Sequence, residues 1–227
     1  MKLYVLITAF FLVIGIQPGT AVHAVAGGSR ESYSSFIPEG WSVFKSRYSH
    51  AKGIVKGDLN GDGVSDLAMI LIKPDKNGEE EATRKLVLLF GKRSGGYRLA
   101  GTSDTVLRCK QCGGMTPEPL DSLKIKGEKI VIKQSGGSGN NRWNSTHKWQ
   151  FRNADWYLVG RADEHNMGHE GFNIYISTDE NLITGIRIIT KKELNEDTNK
   201  FKILSRSKPL KTASLTPINM SSFEREP

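Results

Sequence analysis

The sequence predicts a mostly β protein, an antiparallel hairpin meander forming a partial-propeller-like or open β-sheet domain. Three observations carry that expectation. Apolar residues gather in short runs such as Leu67–Ile72 and Leu86–Phe90, the length of strands rather than helices. Glycine is frequent, 24 residues against 8 prolines, which suits a chain with many turns. Helical spacing of apolar residues is weak throughout.

The N-terminus reads as a targeting segment. Lys2 supplies a short positive start, and Leu3 to Ile16 are fourteen residues without charge. Small residues follow, with Val22-His23-Ala24 and Ala24-Val25-Ala26 as cleavage sites. This is the pattern of a secretory signal peptide, expected over 1–24, and it predicts a periplasmic or secreted protein. The run falls short of the roughly 20 apolar residues a spanning helix needs, so no stable membrane span is expected after cleavage. Residues 25–35 are small and polar and read as a mobile lead-in. A β-rich domain is expected over 36–204. The polar, proline-punctuated segment 205–227 is expected to be a loosely packed tail.

Within the domain, Trp41, Val43 and Phe44 supply the first core anchors. Leu67–Ile72 and Leu86–Phe90 read as strands, the second closed by the turn-rich Gly91–Gly96. Leu123–Lys126 and Lys129–Lys133 read as a hairpin about Gly127-Glu128. His147–Arg152 and Trp156–Arg161 form a second, turning at Asn153-Ala154-Asp155. Phe172–Ser177 and Leu182–Thr190 form a third, turning near Thr178–Asn181. Lys191–Asn199 reads as a loop.

The formal net charge is +8, of which Lys2 contributes one. The positive charge is scattered: in Leu123-Lys124-Ile125-Lys126 the lysines take one strand face and the apolar residues the other. No basic stripe interleaved with aromatics appears, so nucleic acid is not an expected partner. Cys109 and Cys112 are the only two cysteines. In an oxidising compartment their spacing suits a small local disulfide. The same spacing is half a zinc site without a second half, and a redox spacing without a βαβ context.

The segment richest in chemistry is Asp58-Leu59-Asn60-Gly61-Asp62-Gly63-Val64-Ser65-Asp66. Asp58, Asn60, Asp62 and Asp66 stand at relative positions 1, 3, 5 and 9, and Val64 at position 7 offers its carbonyl. Oxygen donors at these positions suit a hard cation, Ca2+ before Mg2+ because calcium tolerates irregular geometry. Gly63 permits the sharp turn such a curl needs. Position 12 is Met69 rather than a bidentate glutamate, and a strand-like run follows, so the loop is not an EF-hand.

Gly57–Leu67 resembles the calcium loop of FG-GAP/VCBS-type repeat proteins. That resemblance implies a loop that stabilises a β-hairpin in a propeller-like domain, often in extracellular binding proteins. This chain has one such loop and is too short for seven blades. Ser135-Gly136-Gly137-Ser138, Trp149-Gln150-Phe151-Arg152, Trp156–Gly160 and Asn181–Gly185 also resemble a group of exported bacterial single-loop proteins, a likeness that implies no reaction.

Catalytic readings are weaker. Asp163–Glu170 concentrates metal-capable side chains, but Gly168 and Gly171 argue for a polar loop, and the HExxH order is missing. Ser138 lacks the GxSxG setting of a nucleophile. Trp143, Trp149, Trp156 and Tyr157 read as a mixture of core residues and a platform for sugar or peptide. The expected function is therefore a calcium-stabilised, non-catalytic binding or interaction protein of the cell envelope, with a protein or envelope polymer as partner. An inhibitor that neutralises a toxin or hydrolase is one concrete form. The alternative is a hydrolase of envelope polymers using Glu164, His165 or His169.

Overall fold

The computed structural model describes residues 33–46, 51–73, 83–139, 141–169, 172–195 and 198–224, with side chains left out at 167–169 and 172. The expected signal peptide, 1–24, lies outside the described residues, as does most of the lead-in. No α-helix occurs among the described residues, and none of their helices is long and apolar enough to cross a membrane. The structure is mostly β, with antiparallel sheets that do not close into a barrel.

The first sheet contains β1 (Ser42–Val43), β2 (Ile54–Gly57), β3 (Asp66–Lys73), β4 (Thr83–Gly91) and β5 (Tyr97–Ser103). Strand β4 pairs along one edge of β3, so β1 and β2 share the other edge, at opposite ends of it. The second sheet is a meander in which each of seven long strands lies beside its predecessor. These are β6 (Leu120–Ile125), β7 (Lys129–Ser138), β8 (Asn141–Arg152), β9 (Asp155–His169), β10 (Phe172–Asn181), β11 (Ile186–Asn195) and β12 (Lys200–Arg206). Two short strands return along its lower end: β13 (Leu210–Lys211) on β11 and β14 (Ile218–Asn219) on β9.

The turns are local consequences of sequence. Gly127 and Glu128 take φ of 54° and 57°, and Asn153 and Ala154 take 51° and 62°. Two successive positive φ values give the twist that a two-residue hairpin needs. The third hairpin turns at Leu182–Gly185, later than the Thr178–Asn181 turn expected from sequence. Here the Asn181 side-chain oxygen accepts the Ile183 and Thr184 amides. Strand β10 keeps Thr178–Asn181 because all four pair with β9 and β11.

The main core lies where Ala68, Ile70, Leu86, Leu88 and Phe90 of the first sheet pack with Ile130, Ile132, Trp149, Trp156 and Leu158 of the second. Each fully buried large side chain contributes roughly 1.5–3 kcal/mol. The other face of the first sheet presents Leu67, Met69, Leu71, Val87 and Leu89. It is covered by Tyr33, Phe36, Ile37 and Trp41. Burial on both faces explains why β3 and β4 read as unbroken apolar runs.

Three polar clamps fix the connections. Arg84 of β4 makes a bidentate pair with Glu118 at 2.7 and 2.8 Å, both side chains buried. The Trp156 indole N–H donates to the Ala100 carbonyl at 2.9 Å. Buried Gln134 accepts the Arg108 amide and donates to the Val106 carbonyl.

Three further expectations are corrected. Lys191–Asn199 is not simply a loop: β11 runs to Asn195, and β12 begins at Lys200. Asp163–His169 is the end of β9. Both segments are polar in composition, and their ladder bonds, rather than apolar alternation, set the strands. The segment 205–227 is not merely a loose tail, since Met220 and Phe223 are buried in the main core. Asn219 accepts the Ser221 amide and starts the 3-10 turn that delivers both.

Candidate functional site

The Asp58 loop leaves β2 and enters β3, two strands already paired at Gly57 and Asp66. Its curl is a succession of side-chain-to-backbone bonds. The Asp58 carboxylate accepts the amides of Asn60, Gly61 and Gly63 at 3.2, 2.7 and 2.9 Å. Asn60 then accepts the Asp62 amide, and Asp62 accepts the Val64 amide. Gly61 and Gly63 have φ of 76° and 78°, a region L side chains enter only with strain. The Gly63 amide, followed by those of Gly61 and Asn60, holds the Asp58 carboxyl below its ordinary pKa against the opposing cost of desolvation.

Asp66 has a different task. It is fully buried, and its two oxygens accept the Leu59 and Gly91 amides at 2.7 and 2.8 Å. It thereby ties the loop to the end of β4. Burial pushes its pKa up, against those two bonds, and the charges of Asp62 and Asp58 push the same way.

The donor chemistry of Asp58, Asn60, Asp62, the Val64 carbonyl and Asp66 fits a hard divalent ion, since every donor is oxygen. Among the described residues no three carboxylate, imidazole or thiolate groups come together in a metal-holding arrangement. The Asn60 amide nitrogen also donates to the Asp62 carboxylate, at 2.9 Å. The backbone curl is in place.

Cys109 and Cys112 are joined in a disulfide with Cα atoms 5.1 Å apart. The pair caps the 3-10 turn Lys110–Gly113, which lies against β7 through a bridge between Gly114 and Gly137. Gly136 is required there, because a Cβ would stand 2.6 Å from the Trp143 ring and 2.8 Å from the Gly113 carbonyl. The Gly136-Gly137 pair thus serves close packing.

The larger feature is a cleft of about 590 Å³ on one face of the second sheet. Its floor is built by register. Trp143, Ser145 and His147 of β8 stand opposite His165, Asp163 and Arg161 of β9. Asp163 and Arg161 stand opposite Thr178 and Glu180 of β10, which stand opposite Ile189 and Arg187 of β11. Side chains alternate between faces along a strand, so these rows share one face. The disulfide connector forms one wall, with the Arg108 guanidinium 4.5 Å from the centre of the Trp143 ring. Phe223 forms another, edge-on to Trp149 and His147.

At the centre of the floor Glu180 is buried and receives both Arg161 and Arg187. Burial alone pushes its pKa up, but the bonds and charges of the two guanidiniums outweigh that and hold it below the ordinary value. His147 is pushed down to about 4 by burial first, then by the Arg161 and Arg108 charges. Its Nδ1 has no hydrogen-bond partner, and its Nε2 lies 4.0 Å from Asp163. A neutral imidazole with so low a pKa is a poor proton carrier near neutrality.

The residues proposed for hydrolysis do not assemble. Glu164 and His165 are neighbours on β9 and so face opposite sides of the sheet. Glu164 is engaged by Lys192 on the side away from the cleft. Positions 165 and 169 would be adjacent on a helix, but on a strand they are about 13 Å apart, and the His169 side chain is outside the described residues. Of the four aromatics considered as a platform, Trp149 and Trp156 are core residues, and Trp143 lines the cleft. Sequence reading missed Arg161, Glu180 and Arg187. The available signal was charge at alternate positions in adjoining strands.

No family model matches this chain, and no curated protein and no solved structure is similar to it at a significant level.

Proposed function

We propose that the chain is an exported, non-catalytic binding protein of the cell envelope. Its cleft on the second sheet receives a partner protein or envelope polymer, and calcium stiffens the Asp58 loop. The observation that carries this reading is the cleft floor: a buried Glu180 clamped by Arg161 and Arg187, whose guanidiniums still line the cavity. Such a floor is rigid before any ligand arrives, and preorganised polar groups lower the cost of ordering on binding. The buried Glu180 carboxylate is already neutralised by two cations, which favours recognition over chemistry. The export signal and the FG-GAP/VCBS-like loop support an extracytoplasmic setting.

The loop donors are Asp58, Asn60, Asp62 and the Val64 carbonyl, with Asp66 behind them. A bound calcium ion would offset the mutual repulsion of the three carboxylates. Calorimetry of the mature chain should then show heat on calcium addition, and chelator should lower the melting temperature. Asp58→Asn should abolish both effects. No calcium heat and no chelator effect in the wild type would remove calcium from the account. For the cleft, Arg187→Glu should abolish retention on isolated envelope polymer or protein, whereas Lys124→Ala, on β6 outside the cleft, should leave retention intact. Release of polymer fragments that stops in His165→Ala would establish the hydrolase instead.

A further inference from the structure

The Cys109–Cys112 bond adds little that the surrounding chain does not already supply. It joins cysteines three positions apart, and so short a ring removes less freedom from the unfolded chain than a longer one. The turn inside the ring is also made by a hydrogen bond, from the Cys112 amide to the Cys109 carbonyl at 3.1 Å. The connector is anchored on both sides of the ring. Before it, Val106 and Leu107 are buried in the main core and Gln134 accepts the Arg108 amide. After it, the Met115 amide donates to the Gly137 carbonyl at 3.2 Å.

The bond is also within reach of solvent. Cys112 is exposed and lines the cleft, whereas Cys109 is half-buried. Disulfides that stabilise secreted proteins resist reduction, and exposed ones are the labile and regulatory kind. From Thr105 to Pro117 the chain carries Arg108 and Lys110 and no acidic residue, and cations beside a cysteine favour its thiolate. The acids that line the cleft among the described residues are Asp163, Glu180 and Glu224, and Glu180 is held by Arg161 and Arg187. The turn is packed against the cleft floor, because the Gly113 carbonyl and the Trp143 ring both press on Gly136. A change in the turn therefore reaches Trp143 and the Arg108 guanidinium stacked on it.

We propose that Cys109–Cys112 is a redox switch in the cleft wall, opened by exchange with a dithiol at Cys112. The attacking thiolate bonds to the Cys112 sulfur, the disulfide breaks, and the Cys109 sulfur leaves as a thiolate. The second thiolate of the reductant then attacks its own partner sulfur in the mixed disulfide and releases Cys112. Two electrons pass to the cysteines, the reductant leaves as a disulfide, and its two protons go to Cys109 and Cys112. Opening loosens the wall and weakens retention in the cleft, a step that rests on the binding reading above.

The test treats the folded mature chain with dithiothreitol. Reduction is expected to leave the circular dichroism spectrum unchanged and to speed amide hydrogen exchange at 109–116 and 143–147, but not in β3 or β4. Iodoacetamide should alkylate Cys112 in Cys109→Ser at least about tenfold faster than Cys109 in Cys112→Ser, because access sets reactivity. Loss of the fold on reduction would make the bond structural and overturn the proposal. So would resistance of the folded chain to dithiothreitol, equal alkylation of the two cysteines, or unchanged exchange around the turn. Retention on isolated envelope polymer should be weaker for the reduced chain. Equal retention of both forms, with Arg187→Glu still abolishing it, would sink the switch and leave the binding reading. Retention indifferent to Arg187→Glu would sink the binding reading, and the opening of the turn would still be decided by hydrogen exchange.

Discussion

Strand β3 and strand β12 are nearly the same length and lie at opposite extremes of burial. Six of eight residues in β3 are buried, and none of seven in β12 is. Between them the chain changes its means of cohesion. The first sheet is held by apolar side chains packed on both faces. The far half of the second sheet is held by ladder bonds, cross-strand ion pairs and a few aromatic contacts. A packed sheet resists change at any position, because voids and unpaired groups are costly there. A solvent-facing sheet tolerates side-chain variation, so it is the half that can carry a cleft. The division leaves a stable base bearing a solvent-facing wing.

The sharpest way to break the packed half is through the buried Arg84–Glu118 ion pair. Removing one member of such a pair strands the other without water. Arg84→Ala is expected to lower stability by about 4 kcal/mol, read from the urea midpoint at constant slope. Replacing both partners by apolar residues of similar volume, Arg84→Met with Glu118→Leu, should recover most of that loss. If the double variant were as unstable as the single, the pair would be doing more than neutralising itself.

The junction between the halves should respond to pH. His147 has an ordinary value of 6.5 and a folded value of about 4. Between these values the unfolded chain takes up a proton that the folded chain refuses. The stabilisation is therefore complete above pH 6.5 and is lost as pH falls towards 4, amounting to roughly 3 kcal/mol. Glu180, also depressed, continues the loss below the ordinary carboxylate range. His147→Gln should flatten the profile between pH 6.5 and 4 and leave the more acidic part in place. A wild-type stability that stayed level over that window would contradict the buried, neutral imidazole.

How much of this was legible in the sequence follows the same division. Leu67–Ile72 announces a buried strand because burial on both faces leaves an unbroken apolar run. Gly127-Glu128 and Asn153-Ala154 announce hairpins because tight turns are encoded by adjacent residues. The Asp58 curl is legible for that reason too. The cleft is not local: Arg161, Glu180 and Arg187 meet only after two turns fix the register, and no short spacing reports them. The β10–β11 turn was misplaced because Thr178–Asn181 has turn-like composition, while strand pairing on both sides overrode it. Met220 and Phe223 were passed over as part of a polar tail, although two apolar residues three apart were a usable sign of anchoring.

The smallest effect is also the cleanest comparison. Lys192 and Glu164 form an ion pair across β11 and β9, like Arg84 and Glu118 in the packed half, but their side chains are 23% and 25% exposed. Water already solvates much of each charge, so less is lost when the partner goes. A double-mutant cycle with Lys192→Met and Glu164→Gln should give a coupling of about 0.5 kcal/mol, falling further as salt screens it. The Arg84–Glu118 cycle should give several times more and respond little to salt. Equal couplings in the two cycles would mean that burial does not separate the halves, and the contrast between a packed base and a solvent-facing wing would lose its energetic content.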